Sequence, residues 1–429
     1  MDALNGSDAN ALPEVGENPH YLQAVTDMGE RHEVVAQSDI YAANGVKLIS
    51  KGTQITPEKF QQLIQHKLKL SIDRSIALGD PVLAEDLARQ ASLVLDTHAV
   101  IAKMTYRTGD PLAVKHELGR LALPFPMSQR LTVMRSERPQ LFEHSVRTAM
   151  IAFALAQRMK LPSSELPLLL QAALCHDIGE LHTDPQLLAP GHKIGLEERR
   201  FVHVHPVTGY SILSSSTDIS PKVGKAVLQH HERGDGSGYP YGALADEITP
   251  LARIVGIAEA SDAVIARLDP GRLDMMLRVG RIRFDPAILD VLRDLIDVPH
   301  AAPSAGSGEY DASRQLIRLA NLLGYWAALA HRLHEHAASS SSSVSFLFAR
   351  MRGIKNLILQ AGFDPDDVQS IVAVAEGDPG ILMELHCVLD EIDWLLQDLA
   401  NEIDRRTLQF DGATLSTMDD LQKQLRTDA

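Results

Sequence analysis

Between residues 144 and 262 the chain repeatedly sets an imidazole or a carboxylate on the helix side that its neighbours mark as inward. No other feature constrains the fold as much. His144 is followed at +4, +7, +8 and +11 by Thr148, Ile151, Ala152 and Leu155, and so shares their apolar stripe. The stretch Leu166 to Ile178 is apolar nearly all round yet carries His176-Asp177 near its end. Such a pair on so apolar a helix is costly unless both groups are paired or hold a metal. Further on, His203-Val204-His205-Pro206 precedes Gly209, and Val223 and Val227 point where His230 and His231 point. Glu259 follows Ala252 and Val255 on an inward stripe, with Asp262 three residues on.

A lone imidazole on an apolar face is ordinarily a hydrogen-bonded core residue. Five such elements would each need a separate partner, whereas one or two metal ions would satisfy them together. Mixed imidazole and carboxylate donors suit Fe, Mn, Ni or Zn better than Ca or Mg. Read from the residues alone, the region is a helical metallohydrolase.

Charge narrows what it can act on. The chain has 41 Lys and Arg against 56 Asp and Glu, a net charge of −15, which argues against a nucleic-acid polymer as partner. A phosphate-bearing small molecule would need local positive charge, and metal ions supply it. No segment approaches the ~20 apolar residues of a membrane helix. Met1 to Pro19 lacks the basic start and apolar core of a secretory signal. Two cysteines, Cys175 and Cys387, make no disulfide framework and fit a reducing cytoplasm. Cys175, inside an apolar run, reads as core rather than nucleophile.

The fold class expected is mainly α, a helical bundle with a small mixed N-terminal unit and a C-terminal helical region. Residues 1–35 read as a polar tail and 36–125 as an accessory region. In the latter, Asn44-Gly45 between Ile40-Tyr41 and Val46-Ile49 signals a hairpin, and Thr56-Pro57-Glu58 signals a capped helix start. The chemistry lies in 126–297. A linker over 298–309, rich in Pro, Gly, Ala and Ser, precedes a helical region over 310–410 and a polar tail over 411–429. The heptad-like run Ile381, Leu385, Val388, Leu389, Ile392, Leu395, Leu396, Leu399 suggests a helix hairpin or a homodimer contact. His331, His334 and His336 read as a frayed helix end, and Arg350, Arg352 and Lys355 as a solvated face.

His176-Asp177-Ile178-Gly179, His205-Pro206-Val207-Thr208-Gly209 and the block from His230 to Pro240 (His-His-Glu-Arg-Gly-Asp-Gly-Ser-Gly-Tyr-Pro) resemble the HD-GYP family. That family is a branch of the HD metal-dependent phosphohydrolases. The similarity covers roughly 135 to 295. It implies an all-helical HD-type bundle that binds two or three ions, usually iron or manganese, and hydrolyses cyclic di-GMP to pGpG or onward to GMP through a metal-bridging hydroxide. Carried over by position, the resemblance implies His144, His176, Asp177, His205, His230, His231 and Glu259 as metal ligands, with Asp177 bridging. It also implies contact between the Gly-Tyr-Pro block and a diguanylate-cyclase domain. Tyr239, Arg267 and Arg272 are candidate substrate contacts, and Asp177 and Glu180 carry the catalytic assignment.

The pattern departs from the family at four places. Glu259 stands where the family has a shorter aspartate ligand. Glu180 replaces the lysine that faces the substrate phosphate. At ~4 Å and an effective dielectric near 20, each unit charge is worth about 4 kcal/mol against a phosphate, so Glu180 must turn outward or pair, with Lys193 or Arg199 in reach. Gln140 replaces the glutamate of three-metal members, which implies two ions. The loop carrying Arg267 and Arg272 is shortened. The departures at Glu180 and in this loop give the alternative reading, a catalytically weak cyclic di-GMP receptor or partner-binding signalling protein. His182 and His192 lie in the loop after the His-Asp pair and are lesser candidates; His203 reads as solvated or supporting.

Overall fold

The computed structural model describes residues 19–265, apart from 30, 70, 71, 73, 74, 190, 191 and 193–195. Beyond these it describes 281, 283–296, 317, 320, 321, 324, 325, 344–360, 385, 389, 392, 393, 395–397, 399–404, 406 and 412–426. The chain divides into two compact units, one of Met1–Ala266 with Asp290–Ile296 and the other of Arg267–Leu289 with Asp297–Ala429.

The first unit is mainly helical. It opens with α1 (Pro19–Gly29), then β1 (Val34–Ala36), β2 (Ile40–Tyr41), β3 (Lys47–Ile49), α2 (Pro57–Ile64) and β4 (Ile76–Leu78). The hairpin signalled by Asn44-Gly45 is β2–β3, antiparallel with Ile40 opposite Ile49. A second antiparallel pair, β1 with β4, joins residues some forty positions apart in register Val34 to Leu78. Thr56 does stand before α2, but its hydroxyl donates to the Glu58 carboxylate (2.6 Å) and makes no bond to the helix backbone. Within the stretch read as a polar tail, residues 19–29 form α1, whose Tyr21, Leu22, Val25 and Met28 are buried; residues 1–18 lie outside the described residues. α1 packs on α2 and on α6 (Phe125–Glu137).

Then follow α3 (Ala84–Thr97), α4 (Ala99–Tyr106) and α5 (Ala113–Gly119), ahead of α6. After α6 come α7 (Pro139–Arg158), α8 (Leu166–Cys175), α9 (Leu196–His203), α10 (His205–Ser214), α11 (Pro221–Gln229) and α12 (Pro250–Ile265). Prolines in the first turns of α7, α8, α10 and α11 fit helix starts, where no backbone donor is lost. α7 packs against α8 and α12, and α11 against α8, α10 and α12. α3 and α4 also pack on α7.

The described part of the second unit includes a helix over Ser345–Gln360 and another over Gly412–Arg426. The latter buries Met418, Leu421 and Leu425, which corrects the polar-tail reading of 411–429. Leu385, Leu389, Ile392, Leu395, Leu396 and Leu399 are buried; Ile381 and Val388 of that heptad-like run lie outside the described residues. Arg350 is not on a solvated face: it is 8% exposed and its Nε donates to Glu402 at 3.0 Å. The linker at 298–309 and His331, His334 and His336 lie outside the described residues. Among the described residues, no helix is long and apolar enough to cross a membrane.

Candidate metal centre

The last turn of an α-helix leaves backbone carbonyls without partners. In three places a histidine just beyond the helix end supplies the missing donor. His176 Nδ1–H donates to Ala173 O at the end of α8 (2.7 Å), and His205 Nδ1–H to Val202 O in the last turn of α9 (2.7 Å). His230 Nδ1–H donates to Val227 O at the end of α11 (2.6 Å). A carbonyl only accepts, so Nδ1 carries the proton in each ring and a neutral ring has a bare lone pair on Nε2. The same helix ends bring the negative poles of three dipoles to one side.

Those lone pairs converge. His205 Nε2 and His230 Nε2 are 3.2 Å apart and lie 3.2 and 3.4 Å from Asp177 Oδ1. His176 Nε2 is 3.0 Å from Asp177 Oδ2 and 3.2 Å from His144 Nε2. His144, from α7, is oriented by its other nitrogen, since Nδ1–H donates to Asp262 Oδ2 at 2.7 Å. Asp262, on α12, is itself gripped at both oxygens by Arg147 (2.8 and 2.9 Å). Arg147 lies three residues beyond His144 on the same helix face.

Two sets of donor atoms result, each lying within 4.8 Å of one another: His144, His176 and Asp177, and Asp177, His205, His230 and His231. His176, Asp177, His205 and His230 are buried. Asp177 Oδ1 is a buried carboxylate oxygen with no hydrogen-bond donor among the described residues. Acceptors facing acceptors in a buried pocket repel unless a cation sits among them. The donor set of imidazoles around one shared carboxylate fits a pair of divalent transition-metal ions.

The protonation state reflects the same crowding. Burial alone would lower His176, but the neighbouring Asp177 charge outweighs it and pushes the ring up to about 9. Asp177 lies well below the usual carboxylate range: burial would raise it, but His176 and the other imidazoles outweigh that. Burial brings His230 down to about 4 and holds His231 well below its ordinary value.

Glu259 falls in neither donor set. Its Oε2 lies 3.9 Å from His231 Nδ1 and 3.8 Å from Arg233, and burial raises its carboxyl. Glu180 sits on the 3₁₀ turn Ile178–His182 that follows Asp177. Burial first, and then the Asp177 charge, push it up to about 7. Arg138, at the start of α7, feels the charges of Glu180 and Asp184 and donates to Thr183 O (3.2 Å). Lys193, the Arg199 side chain, Arg267 and Arg272 lie outside the described residues.

The glycine-rich block is folded over the centre by its own backbone. Glu232 is buried and its two oxygens accept from Tyr241 N and Ala243 N (2.8 Å each). A Cβ on Gly238 would lie 2.3 Å from His231 O and 2.4 Å from Arg233 N, so only glycine permits this approach. Tyr239 then stacks on His231 (centroids 4.5 Å) and, on its other side, on His203 (4.1 Å, 8° between planes). His192 is exposed beside Glu198. His182 is engaged elsewhere, by Arg130 and Tyr21. Cys175 is buried and its thiol is pushed up to about 12 by that burial, which leaves it inert.

Residues 126–288 match the HD domain family. The chain is 36% identical over 135 residues to the cyclic di-GMP phosphodiesterase response regulator RpfG of Xanthomonas campestris pv. campestris, a match covering 29% of this chain and 35% of that protein. It is 39% identical over 94 residues to a cyclic di-GMP phosphodiesterase of Pseudomonas aeruginosa, covering 22% of each chain. A match of 31% over 134 residues to 3'3'-cGAMP-specific phosphodiesterase 2 of Vibrio cholerae covers 29% of this chain and 26% of that one. The chain thus spans about a third or less of the length of these curated relatives.

Proposed function

We propose, from the match of residues 126–288 to the HD domain family, that the chain is a metal-dependent phosphodiesterase that opens cyclic di-GMP to linear pGpG. The observation that carries this reading is the pair of donor sets sharing Asp177, which suits two cations held side by side. Relatives named for hydrolysis of cyclic di-GMP and of 3'3'-cGAMP support the substrate class.

His144 and His176 would hold one ion and His205, His230 and His231 the other, with Asp177 common to both sets; iron or manganese suits such donors. When bound, the two cations supply the positive charge that a phosphate needs and activate water as a nucleophile near neutral pH. The chain's own part is preorganisation. Backbone carbonyls fix three rings in one tautomer with Nε2 inward, and Asp262 does the same for His144. Glu180 stands three residues past Asp177, where the family resemblance has a phosphate-facing lysine; without ions, burial and then the Asp177 charge push its carboxyl up to about 7.

The same residue favours a second reading, that the chain binds cyclic di-GMP without turning it over. A contact with a diguanylate-cyclase domain, a homodimer and a cytoplasmic location belong to the same proposal. The test is the full chain loaded with Mn(II), or with Fe(II) without oxygen, and incubated with cyclic di-GMP, 3'3'-cGAMP and a linear dinucleotide control. Accumulating pGpG supports the enzyme. Tight binding with no product supports the receptor, and neither binding nor product overturns both. Glu180→Lys is expected to raise turnover; unchanged turnover would put Glu180 outside the substrate's reach.

A further inference from the structure

Four of the five imidazoles of the centre are fixed by a hydrogen bond through Nδ1, and the fifth is not. Among the described residues the His231 ring has no hydrogen-bond partner; Glu259 Oε2 lies 3.9 Å from its Nδ1. Rings surround it instead. His230 lies 4.1 Å away and His205 4.9 Å, both across inclined planes, while Tyr239 lies nearly parallel at 4.5 Å and 25°. The far face of Tyr239 is covered by the half-buried His203 at 4.1 Å and 8°. The backbone locks the order of this stack, because Tyr239 N donates to His231 O (3.2 Å) and Gly238 admits the close approach behind it.

We infer that Tyr239 and His203 are positioning residues: they hold His231 by face-to-face packing in place of the hydrogen bond that orients every other imidazole of the centre. A ring free to turn about χ2 presents its nitrogen to the ion only part of the time. Offset aromatic stacking restricts that rotation without consuming either nitrogen. The consequence is selective. The ion held by Asp177, His205, His230 and His231 depends on the stack; the ion held by His144, His176 and Asp177 does not. This rests on the metal centre of the proposed function, and the experiment separates the two.

The test loads the full-length protein with Mn(II), dialyses it against graded chelator, and measures ions per chain by elemental analysis. Bound Mn(II) is followed by electron paramagnetic resonance, and circular dichroism reports the fold. Wild type is expected to release two ions per chain. In His203→Ala and Tyr239→Leu one ion should leave at about tenfold lower chelator, within the range for lost supporting contacts, while the other stays as in wild type. Tyr239→Phe and His203→Phe keep the rings and should restore the wild-type profile. His203→Ala releasing both ions as wild type does would overturn the inference, and so would Tyr239→Phe failing like Tyr239→Leu, since a hydroxyl would then be responsible. If Tyr239→Leu does not fold, the His203 pair decides alone. A wild-type protein that binds no Mn(II) overturns the metal centre itself.

Discussion

His176 and the half-buried His182 stand six residues apart, and their Nε2 atoms meet opposite partners. His182 Nε2 lies 2.6 Å from Arg130, whose guanidinium can only donate, so its lone pair is spent within the chain. Its ring stacks on Tyr21 of α1 (5.1 Å, 6°), and Arg130 lies over the same tyrosine at 4.1 Å. Burial, and next the Arg130 charge, hold His182 well below its ordinary value, so it stays neutral. His176 faces the reverse situation. Its Nδ1–H is used by Ala173 O, and its Nε2 points at a carboxylate and a second imidazole. Interior placement alone therefore does not mark a candidate metal ligand; what marks it is an Nε2 that meets acceptors and no guanidinium.

The most severe way to break this contrast is Asp177→Asn, which removes the one charge common to both donor sets. Ion content should fall from two per chain toward none, and hydrolysis by at least about 10²- to 10³-fold, the scale set by losing one preorganised electrostatic partner. Elemental analysis and product chromatography read both. Asp262→Asn comes next: His144 loses its charged orienter, and affinity for the ion of that set should fall about 10- to 100-fold, measured by chelator competition.

The acid–base side of the contrast gives a smaller, signed effect. With its ring at about 9 in the absence of an ion, His176 is protonated at pH 7 and must lose that proton to coordinate. Metal uptake at pH 7 should release about one proton per chain, and affinity should rise with pH until the ring titrates. Calorimetry in buffers of different ionisation heat measures this; uptake without proton release would contradict it. Smallest of all, His182→Phe should leave ion content unchanged while costing about 1–3 kcal/mol of stability through the Arg130 donor it strands. Denaturant unfolding of the metal-free protein checks this, and lost ions would place His182 in the centre.

The residues that cluster were legible because each sits on or just past an apolar helix. His144 follows a 3.6-residue stripe, and His176, His205 and His230 follow helix ends. What the spacing does not carry is which nitrogen each ring turns inward. That depends on carbonyls three residues back, and on Asp262 and Arg147, which meet His144 only after α7 and α12 pack. A signal was present all the same: three histidines stand just beyond a helix end. Glu259, a ligand by the family resemblance, lies outside both donor sets, with Oε2 3.8 Å from Arg233 and 3.9 Å from His231 Nδ1. α1 was invisible because a short helix in a polar run gains its stability from packing, not propensity. The helix Gly412–Arg426 shows the same behaviour, with Met418, Leu421 and Leu425 on one stripe. The β1–β4 pair and the Arg350–Glu402 contact join residues far apart in sequence, which no local pattern announces.

The proposed chemistry requires two cations sharing one aspartate. Anomalous diffraction from crystals of the manganese-loaded protein tests it directly. Two peaks are expected with the Asp177 carboxylate between them, one beside His144 and His176 and the other beside His205, His230 and His231. No peak within coordination distance of Asp177, or a single peak that leaves one set of imidazoles without a metal, would contradict it.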